Sequence, residues 1–261
     1  MAIFVSSPDS YADVFRVFLE CYRKFWPDSP YELVLATNGS KYEGITVYNN
    51  GATDDGWMDR AIPAIARLPH EFILLLCDDC LISQRVDNRL VRSVLQDMRD
   101  YELDFCGLMN HIPGKALHSG SLVDRVRKDR PYALNLQAGI YRRSFLLRLL
   151  GDGERNPWQL EELWLREAGR SPREYFPNVV SCRTNVLHLR HGVLKGKWFA
   201  SVINEMGERG VPIHTERETI PLSEERRLAV MSRLGKLLPA RWRYAVKRIL
   251  KKAGREFATD H

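Results

Sequence analysis

Short apolar runs alternate along the chain with longer segments whose apolar residues recur at helical spacing. The short runs predict strands at residues 3–6, 31–36, 45–48, 72–77, 105–109, 133–136 and 179–184. The helical spacing predicts helices at residues 11–25, 57–68, 86–101, 144–150, 157–168, 223–234 and 239–252. This alternation predicts an α/β fold with a mostly parallel central sheet flanked by helices.

The same pattern divides the chain. Residues 1–210 hold the alternating elements and predict one main domain, whereas residues 211–261 predict a helical, basic C-terminal extension. Residues 110–131 are polar and contain several basic residues and glycines, which predicts a mobile loop close to the functional site.

The main chemical signal follows the apolar run that begins at Phe72. That run ends at Cys77 and is followed directly by two carboxylates, Asp78 and Asp79. Paired acids at the carboxyl end of a strand lie where open α/β sheets bind ligands. Their oxygen atoms suit Mg²⁺ or Mn²⁺ bound to a diphosphate. The alternative is that both residues open a loop and cap the next helix, since Asp favours those positions.

Composition narrows the class of protein. The chain has 261 residues, 44% of them hydrophobic and 28% charged, as in ordinary globular proteins. No apolar run approaches the roughly 20 residues that span a bilayer, and the N-terminus lacks the basic start of a signal peptide. Five cysteines, an odd number, favour a reducing compartment, so the expected location is the cytoplasm.

The sequence lacks the motifs that mark several common classes of enzyme. The sequence contains no G-x-x-x-x-G-K-[ST] phosphate loop, no G-x-G-x-x-G after the first strand, no G-x-S-x-G elbow and no H-E-x-x-H helix. P-loop kinases, dinucleotide dehydrogenases, ordinary α/β hydrolases and zincins are therefore not favoured. A diphosphate without a glycine-rich cradle needs another source of positive charge, such as a divalent cation held by carboxylates.

Several short motifs occur in a characteristic order. They are Ser6-Ser7-Pro8-Asp9, Thr37-Asn38, the run from Gly56 to Arg60, Asp78-Asp79, the run from Leu136 to Tyr141, Asn156 to Glu162, and Gly192 to Trp198. Over residues 3–200 this ordered set resembles bacterial glycosyltransferases of the Rossmann-like GT-A fold, in particular small enzymes of capsule, O-antigen and exopolysaccharide biosynthesis.

The resemblance implies a nucleotide-sugar donor, a cofactor that is Mg²⁺ or Mn²⁺, and a glycan or lipid-linked acceptor. Asp78 and Asp79 stand for the DxD element of that fold, here compressed to adjacent acids. Asp79 is the implied metal ligand, and Asp78 orients the nucleotide or shares the metal. A late histidine, His188 or His191, completes the metal site in the same comparison, although a lone histidine is more often structural.

Further donor-binding positions follow from the resemblance. They are the strand-end residues Ser6, Ser7 and Asn38, then Trp57, Asp59 and Arg60, then Gln137 and Gly139, and finally Lys197 on a late basic loop. Two plain alternatives stand beside these assignments. For Asp59 and Arg60, the alternative is a surface ion pair on a solvated helix face. For Gly139, it is a tight turn between a strand and a helix.

The resemblance also supplies a catalytic base. Glu161, in the Pro-Trp-x-x-Glu motif, matches the family position, with Glu162 as the second choice. A base that removes the proton of the acceptor hydroxyl is what sugar transfer with inversion needs. The alternative is that both acids only complement the dipole in the first turn of a helix.

Two readings of the cysteines are weaker. Cys77 and Cys80 form a C-x-x-C pair, but a redox motif of that kind starts a helix, and the residues that follow do not predict one. A zinc site that combines them with His188 and His191 lacks a second close pair of cysteines.

The net charge of +6 is concentrated at one end of the chain. Eight Lys or Arg residues and no acid lie in residues 236–255, where apolar side chains share one face of a predicted helix. Such helices lie on anionic membranes. This predicts a peripheral protein on the inner face of the cytoplasmic membrane, and a non-catalytic membrane-surface protein is the alternative function. The plain alternative is a terminal helix packed on the domain, and no nucleic-acid partner is expected.

Overall fold

The computed structural model describes residues 1–49, 56–109, 111–128, 130, 133–151 and 174–237, with the backbone alone for 232–237. The chain divides into two compact units, Met1–Arg190 and His191–His261. The domain boundary predicted at residue 210 therefore lies within the second unit. None of the helices in the described part of the chain has the length and apolar character needed to cross a membrane.

The first unit contains eleven strands, four α-helices and one 3-10 helix, Asp9–Tyr11, among the described residues. The strands are β1 (Ala2–Ser6), β2 (Glu32–Thr37), β3 (Thr46–Asn49), β4 (Phe72–Leu76), β5 (Cys80–Ile82), β6 (Phe105–Gly107), β7 (Lys115–Ala116), β8 (Val123–Arg127), β9 (Gly139–Arg142), β10 (Tyr175–Cys182) and β11 (Leu189–His191), the last of which ends one residue beyond the unit. The helices are α1 (Ala12–Phe25), α2 (Trp57–Arg67), α3 (Asn88–Asp100) and α4 (Arg143–Leu150).

Nine of these strands form one sheet, in the order β3-β2-β1-β4-β9-β6-β10-β8-β7. Strands β3, β2, β1 and β4 are parallel neighbours, and β10 is parallel to β6. Only β8 and β9 run against the common direction among the nine. The predicted α/β fold with a mostly parallel central sheet is confirmed.

Helices cover both faces of the sheet. On one face Phe4, Val34 and Leu75 pack with Ile65 of α2 and Leu146 of α4 in a single buried cluster. The connection from β1 through α1 leads to β2 on one side of β1. The connection from β3 through α2 runs in the opposite direction across the sheet, to β4 on the other side of β1. Because such crossovers are right-handed, α1 lies on the opposite face from α2. A sheet buried on both faces needs continuous apolar strands, which explains the run from Phe72 to Leu76.

The second unit has its own small sheet. It contains β12 (Val193–Leu194), β13 (Lys197–Phe199), α5 (Ala200–Glu208), β14 (Thr219–Ile220) and α6 (Leu222–Leu237). The strands pair in the order β12-β13-β14, and the side chain of Trp198 on the central strand is buried. The helix predicted at residues 223–234 is confirmed, and the one predicted at 239–252 lies outside the described residues.

The loop predicted at residues 110–131 is wrong, because this segment contains β7 and β8. Its polar residues hide the strand pattern, and the buried carboxylate of Asp124 is an example, because it pairs with side chains outside the strand. The carboxylate of Asp124 lies 2.6 Å from Arg183 and 3.0 Å from the His111 ring. Asp97 on α3 accepts a hydrogen bond from Ser121 Oγ at 2.8 Å and anchors the same segment.

The strand predicted at residues 133–136 is also misplaced, because pairing begins only at Gly139. Apolar side chains at 133–136 are buried without belonging to the sheet, so burial alone suggested a strand there. Elements of two or three residues, such as β5 and β12, escaped prediction because they are too short to show a period. The helix predicted at residues 157–168 lies outside the described residues.

Gly139 tests how tightly the centre of this sheet is packed. A Cβ atom at Gly139 would lie 2.5 Å from Phe105 Cε2 and 3.1 Å from the Cys106 carbonyl oxygen. We expect Gly139→Ala to lower the free energy of unfolding by about 1–3 kcal/mol, as overpacked cores do. Its cross-strand partner Gly107 is a matched control, because a Cβ there meets Phe105 at an ordinary 3.5 Å. Chemical denaturation of both variants makes the comparison, and equal losses would contradict the packing argument.

Candidate functional site

The candidate site lies at the carboxyl edge of β1, β2 and β4. β1 pairs in parallel with β2 on one side, with Ser6 opposite Ala36, and with β4 on the other, with Val5 opposite Leu76. From β1 the chain first builds the sheet towards β2 and β3 and then crosses to β4 on the far side. The carboxyl ends of β1 and β4 therefore form the point where strand order reverses, which is where open α/β sheets bind ligands.

A side-chain hydrogen bond joins the two strand ends at this point. Ser7 Oγ donates to Asp78 Oδ2 at 2.6 Å, although the two residues are 71 positions apart. Ser7 is only 2% exposed, and its backbone N–H donates to the Ala36 carbonyl at the end of β2. Ser7 thus connects the ends of three neighbouring strands. Ser6 Oγ is buried beside it without a hydrogen-bond partner among the described residues.

The two carboxylates after β4 are crowded, with Asp79 buried and Asp78 half-buried. Burial, together with the neighbouring charge of Asp79, raises the pKa of Asp78 to about 7, although the hydrogen bond from Ser7 works in the opposite direction. Asp79 is 8% exposed. The structure therefore holds two adjacent acids at the switch point, in an environment that opposes the negative charge of Asp78.

Asp9, which stands in the first of the sequence motifs but has no role assigned to it there, organises the adjoining loops. Its Oδ1 atom accepts from Thr37 Oγ1 at 2.7 Å and from the backbone N–H groups of Gly39 and Ser40. The pKa of Asp9 is lowered, and the hydrogen bond from Thr37 contributes most to that shift. The side-chain oxygen of Asn38, Oδ1, in turn accepts from the Asp9 backbone N–H at 3.4 Å. The signal was the position of Asp9 just after the first strand, where Asp commonly forms turns.

Strand β9 brings a further predicted segment to this edge. It runs antiparallel to β4, with Gly139 opposite Leu75, so the residues just before Gly139 lie beside the end of β4. The backbone N–H of Gln137 donates to Asn135 Oδ1 at 3.0 Å. Gly139 belongs to a strand rather than to the turn offered as its alternative. The close approach of Phe105 gives the reason for a glycine there.

The predicted donor-binding residues on α2 have distinct surroundings. Asp59 is exposed, and its Oδ2 atom accepts from the Gly56 backbone N–H at 3.1 Å, which caps the helix. Arg60 is buried, with 6% of its surface exposed. An Asp59–Arg60 pair on a solvated face is therefore wrong, because Arg60 points away from solvent. Trp57 is half-buried and packs against the core cluster.

Two thiols flank the carboxylates. The Cys80 backbone N–H donates to the Cys77 carbonyl at 3.0 Å, which closes a turn between β4 and β5. One ligand atom each from Cys77, Asp79 and Cys80 lie within 4.8 Å of one another. Contact with the Cys80 thiol and burial raise the pKa of the Cys77 thiol well above its usual value. Because Cys80 begins a strand, this C-x-x-C pair does not start a helix as redox motifs do.

The predicted late residues fall in both units. His188 lies in the first unit, where its carbonyl accepts from Ser83 Oγ at 2.7 Å. Within the described residues, the cluster around Asp79 does not include its ring. His191 and Lys197 belong to the second unit, where Lys197 forms an ion pair with Glu218 that raises the pKa of Lys197. The predicted base Glu161 and its alternative Glu162 lie outside the described residues.

No protein-family model matches this chain, and no curated protein matches its sequence. Among solved structures, S. aureus TarS is 14% identical, with 70% of this chain and 36% of that chain covered and a TM-score of 0.42. TarS 1–349 in complex with UDP-GlcNAc is 14% identical, with 70% and 58% covered and a TM-score of 0.40.

A structure of the galactosyltransferase LgtC with donor and acceptor sugar analogues is 12% identical, with 83% of this chain and 80% of that chain covered and a TM-score of 0.35. This chain thus spans about a third to three fifths of the TarS chains in these structures. Because all three TM-scores lie below 0.5, the function of this chain has to be argued from its own residues.

The raised pKa of Asp78 predicts how stability depends on pH. Between its ordinary value of 3.8 and about 7, the folded chain binds a proton at Asp78 that the unfolded chain does not. The contribution of Asp78 to the free energy of unfolding is therefore largest at low pH, and it decreases as the pH rises through that window. We expect Asp78→Asn to be more stable than wild type above the window, by about 4 kcal/mol at most, and equal to it below the window.

Urea unfolding in the presence of EDTA, at several pH values, measures this difference. Asp100→Asn, at the exposed end of α3, controls for the loss of a surface carboxylate. A constant difference between wild type and Asp78→Asn across the pH range would contradict the assignment.

Proposed function

We propose that this chain is a glycosyltransferase that binds a nucleotide-sugar donor at the carboxyl edge of β1, β2 and β4. The observation that carries the proposal is the Ser7–Asp78 hydrogen bond across the switch point of the sheet. It joins the ends of β1 and β4 beside two acids, and strand ends at such a switch point are where open α/β sheets bind ligands.

The side chains at this edge fit a cation-bound diphosphate. Asp78 and Asp79 present adjacent carboxylates, which are the hard oxygen ligands that Mg²⁺ and Mn²⁺ prefer. The burial and mutual repulsion that raise the pKa of Asp78 are relieved when a positive charge lies beside it. When bound, a divalent cation supplies positive charge that stabilises a diphosphate leaving group. We assign Asp79 as the principal ligand and Asp78 as the residue that orients the nucleotide or shares the cation.

The rest of the edge would hold the donor in place. Ser7 and Asn38 follow β1 and β2, where they would meet the nucleoside, and the hydrogen bonds of Asp9 fix the loops that carry them. Gln137, before β9, lies on the other side of Asp78 and would face the sugar. Because every one of these groups is attached to a strand end, the donor site would be largely formed before the donor binds.

The acceptor side of the proposal rests on the sequence. Glu161 would remove the proton of the acceptor hydroxyl as the sugar is transferred with inversion, and Glu162 is the second candidate. The acceptor would be a glycan or a lipid-linked glycan. The basic residues of 236–255 would bring the enzyme to an anionic membrane surface, where a lipid-linked acceptor lies.

Donor binding is the first test. The purified protein is screened by thermal unfolding against UDP-, GDP-, dTDP- and CMP-sugars, each with Mn²⁺ or with EDTA. We expect one nucleotide family to raise Tm by a few degrees only with metal, because about 1 kcal/mol of binding moves Tm by about 2–4 °C in a protein of this size. Asp79→Asn should lose the shift, whereas the surface variant Asp100→Asn should keep it. A protein that no donor stabilises, with or without metal, would overturn the proposed site.

The base assignment has a separate test. With the donor that binds, release of its nucleotide (a nucleoside diphosphate, or CMP from a CMP-sugar) is followed in wild type, Glu161→Gln and Glu162→Gln. Loss of a general base costs about 10²–10⁴-fold in rate, so Glu161→Gln should fall by that factor while donor binding persists. Glu20→Gln, on the exposed face of α1, controls for loss of a surface glutamate. A full rate in a folded Glu161→Gln protein would reject Glu161, and a loss confined to Glu162→Gln would transfer the role to Glu162.

A further inference from the structure

The turn between β4 and β5 contains a group of ligand atoms that nucleotide-sugar transfer does not need. Cys77 follows β4 and Cys80 begins β5, and the hydrogen bond from the Cys80 N–H to the Cys77 carbonyl holds the two residues together. The two thiols and a carboxylate oxygen of Asp79 all lie within 4.8 Å of one another. No other group of three or more His, Cys, Asp or Glu side chains in the described part of the chain meets this condition.

We infer that Cys77, Asp79 and Cys80 form a binding site for a thiophilic divalent cation such as Zn²⁺. Two sulfurs and one oxygen are a ligand set that Zn²⁺ accepts and that Mg²⁺ does not favour. With Zn–S bonds of about 2.3 Å, two sulfurs in a tetrahedral site lie about 3.8 Å apart, which small side-chain rotations in this group can reach.

The surroundings of the group support a built site. Cys80 and Asp79 are 1% and 8% exposed, and Cys80 lies in a strand that pairs with β11. Cys77 is partly exposed at the end of β4, so a cation can reach the group from solvent. Three protein ligands leave a fourth position for water or another ligand. This ligand set differs from the four-residue site with His188 and His191, since it needs neither histidine.

Asp79 belongs both to this group and to the proposed donor site. A thiophilic cation bound by the two cysteines would therefore compete with Mg²⁺ or Mn²⁺ for Asp79. The inference itself stands on the arrangement of the three side chains and does not depend on the proposed transfer reaction. Its test needs no nucleotide sugar, so failure of one proposal is distinguishable from failure of the other.

The experiment uses the full chain, reduced and freed of metal by a chelator. Co²⁺, which replaces Zn²⁺ and gives a thiolate-to-metal absorption in the near ultraviolet, is titrated into the protein. We expect this absorption to saturate at one equivalent, to disappear on addition of Zn²⁺, and to persist in excess Mg²⁺. Removal of either thiol, in Cys77→Ser or Cys80→Ser, should weaken binding by about tenfold or more.

Matched variants make the result specific. Cys182→Ser is the control, because that thiol already donates a hydrogen bond to the Leu122 carbonyl in another part of the sheet, and it should bind Co²⁺ like wild type. Asp79→Asn should keep the thiolate absorption at lower affinity, and unchanged affinity would contradict the three-residue site. Circular dichroism checks the fold of each variant. If Cys80→Ser does not fold, the partly exposed Cys77→Ser decides. An absent thiolate absorption in wild type, or equal affinity in wild type and Cys77→Ser, would overturn the inference.

Discussion

Parallel pairing of β1 with both β2 and β4 positions nearly every polar group of the candidate site. The register brings Ser6 opposite Ala36 and Val5 opposite Leu76, so the loops after the three strands leave the sheet at one edge. Ser7 then reaches Asp78 with a 2.6 Å hydrogen bond while its backbone contacts Ala36. A shift of one residue in either pairing would turn the strand side chains to the opposite face and separate these groups.

The turn between β4 and β5 concentrates the chemistry of this edge into four residues, Cys77 to Cys80. Both strands that flank this turn are buried. Burial, and then the neighbouring charge of Asp79, raise the pKa of Asp78, and the Ser7 hydrogen bond offsets only part of that rise. Asp79 can therefore contribute an oxygen ligand to a hard cation. It also lies in one group with two sulfur ligands, which suit a softer cation. Both the proposed function and the cation site inferred at Cys77, Asp79 and Cys80 depend on this crowding.

The local sequence pattern predicted much of the fold and, at the candidate site, the two acids that follow β4. The run from Phe72 to Leu76 is apolar throughout because both faces of β4 are buried, and the acids that follow it mark the strand end. The pattern failed where partners far along the chain compensate for polar residues. Asp124 sits in β8 because Arg183 and His111 pair with its carboxylate, and no periodicity within residues 123–127 reveals those partners.

The sequence by itself determined the class of fold, the end of the apolar strand that precedes Asp78 and Asp79, and the basic character of the C-terminal segment. Each of these depends on neighbours within a few positions. Tertiary structure alone decided that Ser7 adjoins that strand end, that Asp9 adjoins the end of β2, that Gly139 lies beside Leu75 and that Arg60 is buried. It also decided that the two cysteines and Asp79 form one group. The physical reason is that strand order and register are set by long-range pairing and burial, which local periodicity does not encode.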